Sequence, residues 1–235
     1  MLQHANPVVP LRLKDKRAVL NAVFADEVAA HTAAQARIIL KHLDDRIKSV
    51  TVGQVSTAGI HGSKFLTRAL TPVLDKLCSR LQAEGYVNTE DQAEVLFQST
   101  ELMATKGAVP HADTGNSEWH ESLFWVYVLE SEKADLVFPN LSHRVPMTAG
   151  QLIVFDPAQP HAVVGAGKES YRAAHFRDVP RQGYLAGTVA LSKSEWTTLG
   201  VQTDSKALRR KRKRMLEDVC KLAISPVTGK FVLND

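Results

Sequence analysis

The sequence predicts an α+β protein: a helical N-terminal part, then an antiparallel double-sheet jelly roll, then a last helix. Three observations carry this. Within residues 15–48 and again over 65–81 the apolar side chains follow a helical pattern, that of a helix with one buried face. Near residue 95 that period gives way to short runs of Val, Phe, Tyr and Leu punctuated by Gly, Pro and Asn, the spacing of an antiparallel barrel or sandwich. Helices grouped ahead of strands then favour a layer of helices on one face of a sheet over alternating β-α units.

Taken in order, residues 15–48 are rich in Ala, Leu, Lys and Asp and contain no Gly or Pro. They read as one or two helices with Val28, Ile39, Leu43 and Ile47 toward the core. A Gly-bearing stretch, 52–62, interrupts them. A second helical pattern follows through Phe65, Leu66, Ala69, Leu70, Val73, Leu74, Leu77, Cys78 and Leu81, divided by Thr71 as N-cap and Pro72 at the first helical position and stopped at Gly85. The expected strands are 95–103, 124–130, 135–140, 151–156, 161–165 and 170–177, with 184–191 as a further one. Gly165-Ala166-Gly167 supplies a hairpin turn between the last two of the main set. Residues 204–223 form the last helix, docked by Met215, Leu216, Val219, Leu222 and Ala223. The expected organisation is one structural domain: 1–94 packing on the barrel, 95–191 as catalytic core, and 192–235 as basic helix and tail.

Composition excludes several classes. The 235 residues are 44% hydrophobic and 23% charged, unlike a fibre, a disordered regulator or a disulfide-stapled miniprotein. No apolar run approaches a membrane span of about 20 residues, and MLQHANPVVP lacks a signal-peptide apolar region, so a cytoplasmic location without a membrane partner is expected. Cys78 and Cys220 read as small buried hydrophobes in a reducing compartment, with a long-range bridge left open. The formal charge is local. Residues 204–221 hold eight basic and three acidic side chains, a net +5 of the chain's +4, which leaves −1 for the remainder.

The stretch that carries chemistry is Val109-Pro110-His111-Ala112-Asp113. Side chains at i and i+2 of an extended segment point to one side, so the His111 imidazole and the Asp113 carboxylate converge. His161 begins a strand immediately after a Pro-bracketed turn, Pro157 to Pro160. Two imidazoles and a carboxylate on one face of a metal leave the opposite face open, the arrangement of non-haem Fe(II) oxygenases. His-x-Asp alone is a weak pattern in a chain with nine histidines; order is what distinguishes it. The strand Gly150–Phe155 leads into the His161 turn, and Arg172 follows in Glu169-Ser170-Tyr171-Arg172-Ala173-Ala174-His175-Phe176. Alternation with Ala174 and Phe176 turns Arg172 toward the barrel interior, where a cation needs an anionic partner.

In this order the elements resemble the Fe(II)/2-oxoglutarate-dependent dioxygenases: His-x-Asp, a second His 50 positions after the first, and a basic residue 11 further on. The resemblance covers residues 95–178. Leu136-Val137-Phe138-Pro139, the Gly150 turn and the Gly167, Arg172, Phe176 ending look similar to the prolyl-hydroxylase-like branch. It implies a double-stranded β-helix in which His111, Asp113 and His161 are the catalytic Fe(II) ligands. Two of the three open positions would take the 1-carboxylate and 2-keto oxygens of 2-oxoglutarate, and the third O2. Arg172 would hold the distal carboxylate by a bidentate pair. The implied products are succinate, CO2 and a hydroxylated small molecule or peptidyl side chain. Many members carry Ser two residues after the Arg; Ala174 stands here, so Tyr127, Gln98 and Thr100 become candidates for the missing contact.

His120, in the loop leaving the His-x-Asp strand, and His143 with Arg144, between two strands, are candidate substrate contacts. Arg209-Arg210-Lys211-Arg212-Lys213-Arg214 reads as a nucleic-acid contact, a targeting signal or a solvated helix face, and no aromatic interleaves its charges as base stacking would want. Two other readings stay open. One is a cupin-like metal isomerase or ligand-binding module. The other is a nucleic-acid-directed demethylase or binding protein that uses the basic helix.

Overall fold

Runs of Val, Ile, Leu and Phe in period two find partners in two facing sheets. The computed structural model describes residues 19–23, 37–60, 68, 71, 74–75, 78–79, 100–113, 122–155, 157, 160–190 and 222–233. Its elements are β1 (Val19–Val23), α1 (37–46), β2 (Val55–Gly59), β3 (Glu101–Thr105), β4 (Ala108–His111), β5 (Ser122–Glu130), β6 (Ala134–Phe138), β7 (His143–Pro146), β8 (Gln151–Phe155), β9 (His161–Gly165), β10 (Gln182–Ala190), β11 (Leu222–Ile224) and β12 (Phe231–Leu233). One sheet runs β1-β8-β5-β10-β3-β2 and the other β4-β9-β6-β7, while β11 and β12 form a separate hairpin. Every pairing is antiparallel. Chain neighbours are split between sheets, β4 from β5 and β8 from β9, which is the winding of a jelly roll. The fold is a double-stranded β-helix.

The core lies between the sheets. Phe124, Val126 and Val128 of β5, Ile153 and Phe155 of β8, and Tyr184 and Ala186 of β10 meet Leu136 and Phe138 of β6, Val145 of β7 and Val163 of β9. The alternate residues Trp125, Tyr127, Leu152, Val154 and Leu185 are equally buried on the far face of the larger sheet. Leu43 of α1 reaches that face: a Cβ on Gly183 would stand 2.8 Å from Leu43 Cδ2. Ile39, Leu43 and Ile47 are buried at the i, i+4, i+8 spacing of one helical stripe, as the sequence predicts; Val28 falls outside the described residues.

Three expectations are corrected. Residues 19–23, within the expected first helix, form β1, because the backbone of Val19–Val23 pairs in register with the edge of β8 and ladder formation overrides local propensity. The expected strand 170–177 is a 3-10 turn at Ala173–Phe176. The slot it would occupy, between β3 and β5, is filled by β10, the run expected only as a further strand. Finally, Leu222–Ile224 is a strand paired with Phe231–Leu233 and not the end of a helix. The basic run 209–214, Gly85, Cys220 and most of the second helical pattern lie outside the described residues. Among the described residues, no helix is long and apolar enough to cross a membrane.

Candidate metal centre

Local backbone geometry sets the site before any side chain does. β4 starts after Gly107, whose φ of +73° is a conformation glycine adopts without strain. The strand is then tied on both sides: Gly53 N–H donates to the Lys106 carbonyl at 3.1 Å, and Val109 N–H donates to the Gly53 carbonyl at 3.0 Å. On β9 its partners are Val163 opposite Ala108 and His161 opposite His111, with a shift between. Val109 and Pro110 together therefore oppose Ala162, a β-bulge. Pro110, which has no N–H to give a ladder, is tolerated at that position.

The bulge leaves the Val109 carbonyl available, and His111 Nδ1 lies 2.8 Å from it. A carbonyl only accepts, so Nδ1 is the donor, and in the neutral ring that leaves the lone pair on Nε2. That is how metal-binding histidines are commonly oriented. Asp113 N–H donates to the Pro157 carbonyl at 2.9 Å, which joins the His-x-Asp segment to the turn that delivers His161. Asp113 Oδ2 stands 3.7 Å from His161 Nε2, the His111 and His161 ring centroids are 4.3 Å apart, and one donor atom from each of the three residues falls within 4.8 Å of the others.

Electrostatics favours a cation there. His161 is only 5% exposed and is packed by Phe155, with ring centroids 4.9 Å apart, and by Phe138 at 6.4 Å. Burial pushes the Asp113 carboxyl above the ordinary carboxylate range, offset in part by His111. A divalent ion at the cluster would reverse that penalty, since it would be the largest local charge. A carboxylate and two imidazoles are ligands that suit Fe(II) with open positions, so the residues present fit a mononuclear iron.

The remaining sequence-predicted residues divide. Arg172 does not face the barrel interior: it is exposed and extended ahead of the 3-10 turn. The strand that would have turned it inward does not form. Tyr127 is buried but lies opposite Leu152 and Leu185, on the far face of the larger sheet and away from the cluster. Thr100 is fully buried just ahead of β3. Gln98 and His120 lie outside the described residues. Arg144 pairs with the buried Asp135 and donates to the Lys168 carbonyl, while Asp135 also accepts the Gly167 N–H. Arg144 is thus a clamp on the Gly165–Gly167 turn and is not turned to the entrance. His143, by contrast, pairs with Phe138 across β6 and β7 and stacks on its ring at 6.2 Å, in the inward row that contains His161.

Among the described strand residues that point into the barrel, none is Lys or Arg. The inward side of β10 offers Tyr184, Ala186 and Thr188 instead. Tyr184 is buried, its hydroxyl donates to Met147 Sδ at 3.8 Å, and burial holds it well above the ordinary phenol range. The sequence signal for this row was the alternation in 184–191.

No family model matches the chain, and no curated protein matches it. Solved structures do. In fold the chain is similar to 2-oxoglutarate-dependent Fe(II) oxygenases. One is an oxidoreductase of the 2OG-Fe(II) oxygenase family from Burkholderia pseudomallei, 12% identical, with 74% of this chain and 85% of that chain covered and a TM-score of 0.46. A prolyl-4-hydroxylase from Pseudomonas putida is 14% identical, covers 74% and 93%, and has a TM-score of 0.41. A viral collagen prolyl hydroxylase from Paramecium Bursaria Chlorella virus-1 is 9% identical, covers 75% and 90%, and has a TM-score of 0.43.

Proposed function

We propose that the chain is an Fe(II)-dependent oxygenase that uses 2-oxoglutarate and O2 to oxidise a C–H bond of a small molecule or peptidyl side chain. The observation that supports this best is the cluster itself. His111, Asp113 and His161 bring one donor atom each within 4.8 Å of the others, with the His111 tautomer already set by a backbone carbonyl. Bound iron would supply O2 activation at positions the three residues leave open. The chain's own part is to hold two imidazoles and one carboxylate on one side, and to surround His161 with Phe138 and Phe155 so that water is kept from it.

The distal carboxylate of 2-oxoglutarate does not find the guanidinium that the resemblance implies, because Arg172 faces outward. That single observation favours a second reading: a cupin-like metal protein that works without 2-oxoglutarate. Anaerobic titration separates them. The purified chain loaded with Fe(II) is expected to develop a weak visible charge-transfer band on addition of 2-oxoglutarate, followed by succinate release on exposure to air. Iron binding without that band, and without succinate, would select the second reading. Failure to bind iron at all would remove both.

A further inference from the structure

The inner faces of the two sheets form successive rows that lead away from the metal cluster. His161 shares the first row with Phe138, Phe155 and Phe124, and Thr188 belongs to it because it pairs with Phe124. The second row holds Leu136 and Val163, which pair in the smaller sheet, and Val126, which pairs with Ile153 and Ala186 in the larger. In the third row Tyr184 pairs with Val128 and reaches across to Met147, whose N–H donates to the Ala134 carbonyl of β6. Val126 and Val163 point between the sheets from strands flanked on both sides, yet each keeps 7% of its surface open to water, and Tyr184 and Met147 keep 4%. Ile153, Ala186 and Phe138, in the first two rows, keep none. The open surface outlines a narrow apolar space that runs from His161 past Val126 and Val163 to Tyr184. The polar group at its deep end is a phenol. Its hydroxyl donates to a thioether sulfur, a weak acceptor, and burial keeps it neutral and therefore a donor.

We propose that Tyr184 anchors the distal carboxylate of 2-oxoglutarate, in the role for which the resemblance implies a guanidinium. The assignment rests on the iron-oxygenase reading and deepens it by naming the residue that holds the cosubstrate's far end. Thr188 cannot serve, because it lies level with the cluster, whereas the distal carboxylate is the end of the cosubstrate farthest from the metal. Tyr127 lies on the far face of the larger sheet and Arg172 is exposed. A carboxylate is a much better acceptor than a thioether, so on binding the hydroxyl exchanges Met147 for the carboxylate in a charge-assisted hydrogen bond. A lone hydroxyl brings no positive charge, and the walls leading to it are apolar. A 2-oxo acid that ends in a methyl group therefore also enters, with an affinity lower by about the tenfold that one such bond supplies.

The test is anaerobic titration of the full, Fe(II)-loaded chain with 2-oxoglutarate and with 2-oxopentanoate, the same carbon chain ending in methyl, each followed by the charge-transfer band. 2-Oxoglutarate is expected to bind about tenfold more tightly. Tyr184→Phe, which keeps the ring and removes only the oxygen, should bring the two acids level. Met147→Leu breaks the same Tyr184–Met147 bond but leaves the hydroxyl, so the preference should persist. Fe(II) affinity should be unchanged in both variants. Equal binding of the two acids by the unaltered chain, or a preference that survives Tyr184→Phe, would overturn the assignment and leave the oxygenase reading standing. So would a preference lost equally in Met147→Leu, or iron affinity lost in Tyr184→Phe, since either would mark the Tyr184–Met147 contact as structural. Iron binding by the unaltered chain with no band from either acid would remove the oxygenase reading itself, and the assignment with it.

Discussion

The ring of Phe176 lies directly against the backbone of Gly107, so that a Cβ at residue 107 would be 2.4 Å from Phe176 Cδ1. Phe176 is fully buried, and Gly107 opens the strand that ends in His111. Gly107→Ala combines that overlap with a left-handed backbone, and should lower stability by about 2–3 kcal/mol. It should also weaken Fe(II) binding, because β4 has to move. Adding Phe176→Leu should return part of the stability by making room. Denaturant midpoints of the single and double variants test this; additive losses would show that the two residues do not press on one another.

Asp113→Ala removes the anionic member of the cluster and should reduce Fe(II) affinity by about a hundredfold or more, because binding free energy depends on ligand number and charge. In the metal-free chain the same change should cost little stability, since it also removes a carboxylate that is disfavoured by burial. Iron affinity equal to that of the unaltered chain would exclude Asp113 as a ligand.

Arg181 joins α1 to the barrel by pairing with Asp44 and, at 3.2 Å, with Glu130. Burial, and secondarily Asp44, pushes the Glu130 carboxyl above its ordinary value, while Arg181 draws it back. A carboxyl raised on folding stabilises most when protonated, and that contribution declines as pH rises from the ordinary glutamate range through the raised value. Arg181→Met removes the opposing cation and steepens the decline. The variant is expected to be less stable by about 1 kcal/mol at pH 7 and nearly unchanged at pH 4. Thermal melts across that range check the sign; a gap that widens toward acid would contradict it.

Cys78 is a free thiol that burial, and then Asp75, pushes up to about 11. At pH 8 roughly one molecule in a thousand is then a thiolate, the reactive form. Iodoacetamide should therefore label Cys78 slowly in the folded chain and at an ordinary rate in denaturant, read by peptide mass spectrometry. Rapid labelling of the folded chain would mean that the thiol is neither buried nor shifted.

Residue types and order made the barrel and the meeting of His111, Asp113 and His161 legible: period-two runs mark both sheets, and the three residues sit on or beside strand ends that chain order alone suggests. What stayed illegible depended on tertiary choice. Residues 170–177 read as the last strand of the main set and 184–191 only as a further one, yet it is β10 (Gln182–Ala190) that takes the place beside β5; Arg172 was misplaced inward for that reason. Val19–Val23 carries no local sign that it will pair with β8. Arg144 reads as an entrance residue until Asp135 is seen beneath it.

The extra residue in β4 has a practical consequence for anyone mapping this enzyme candidate. The group that aims His111 belongs to the peptide chain of Val109, and replacing its side chain cannot take it away. Alanine scanning would pass over it in silence. Shortening the 109–110 segment by one residue should let that carbonyl join the regular ladder with β9, and the imidazole would then lose its fixed tautomer while every ligand remained in the sequence.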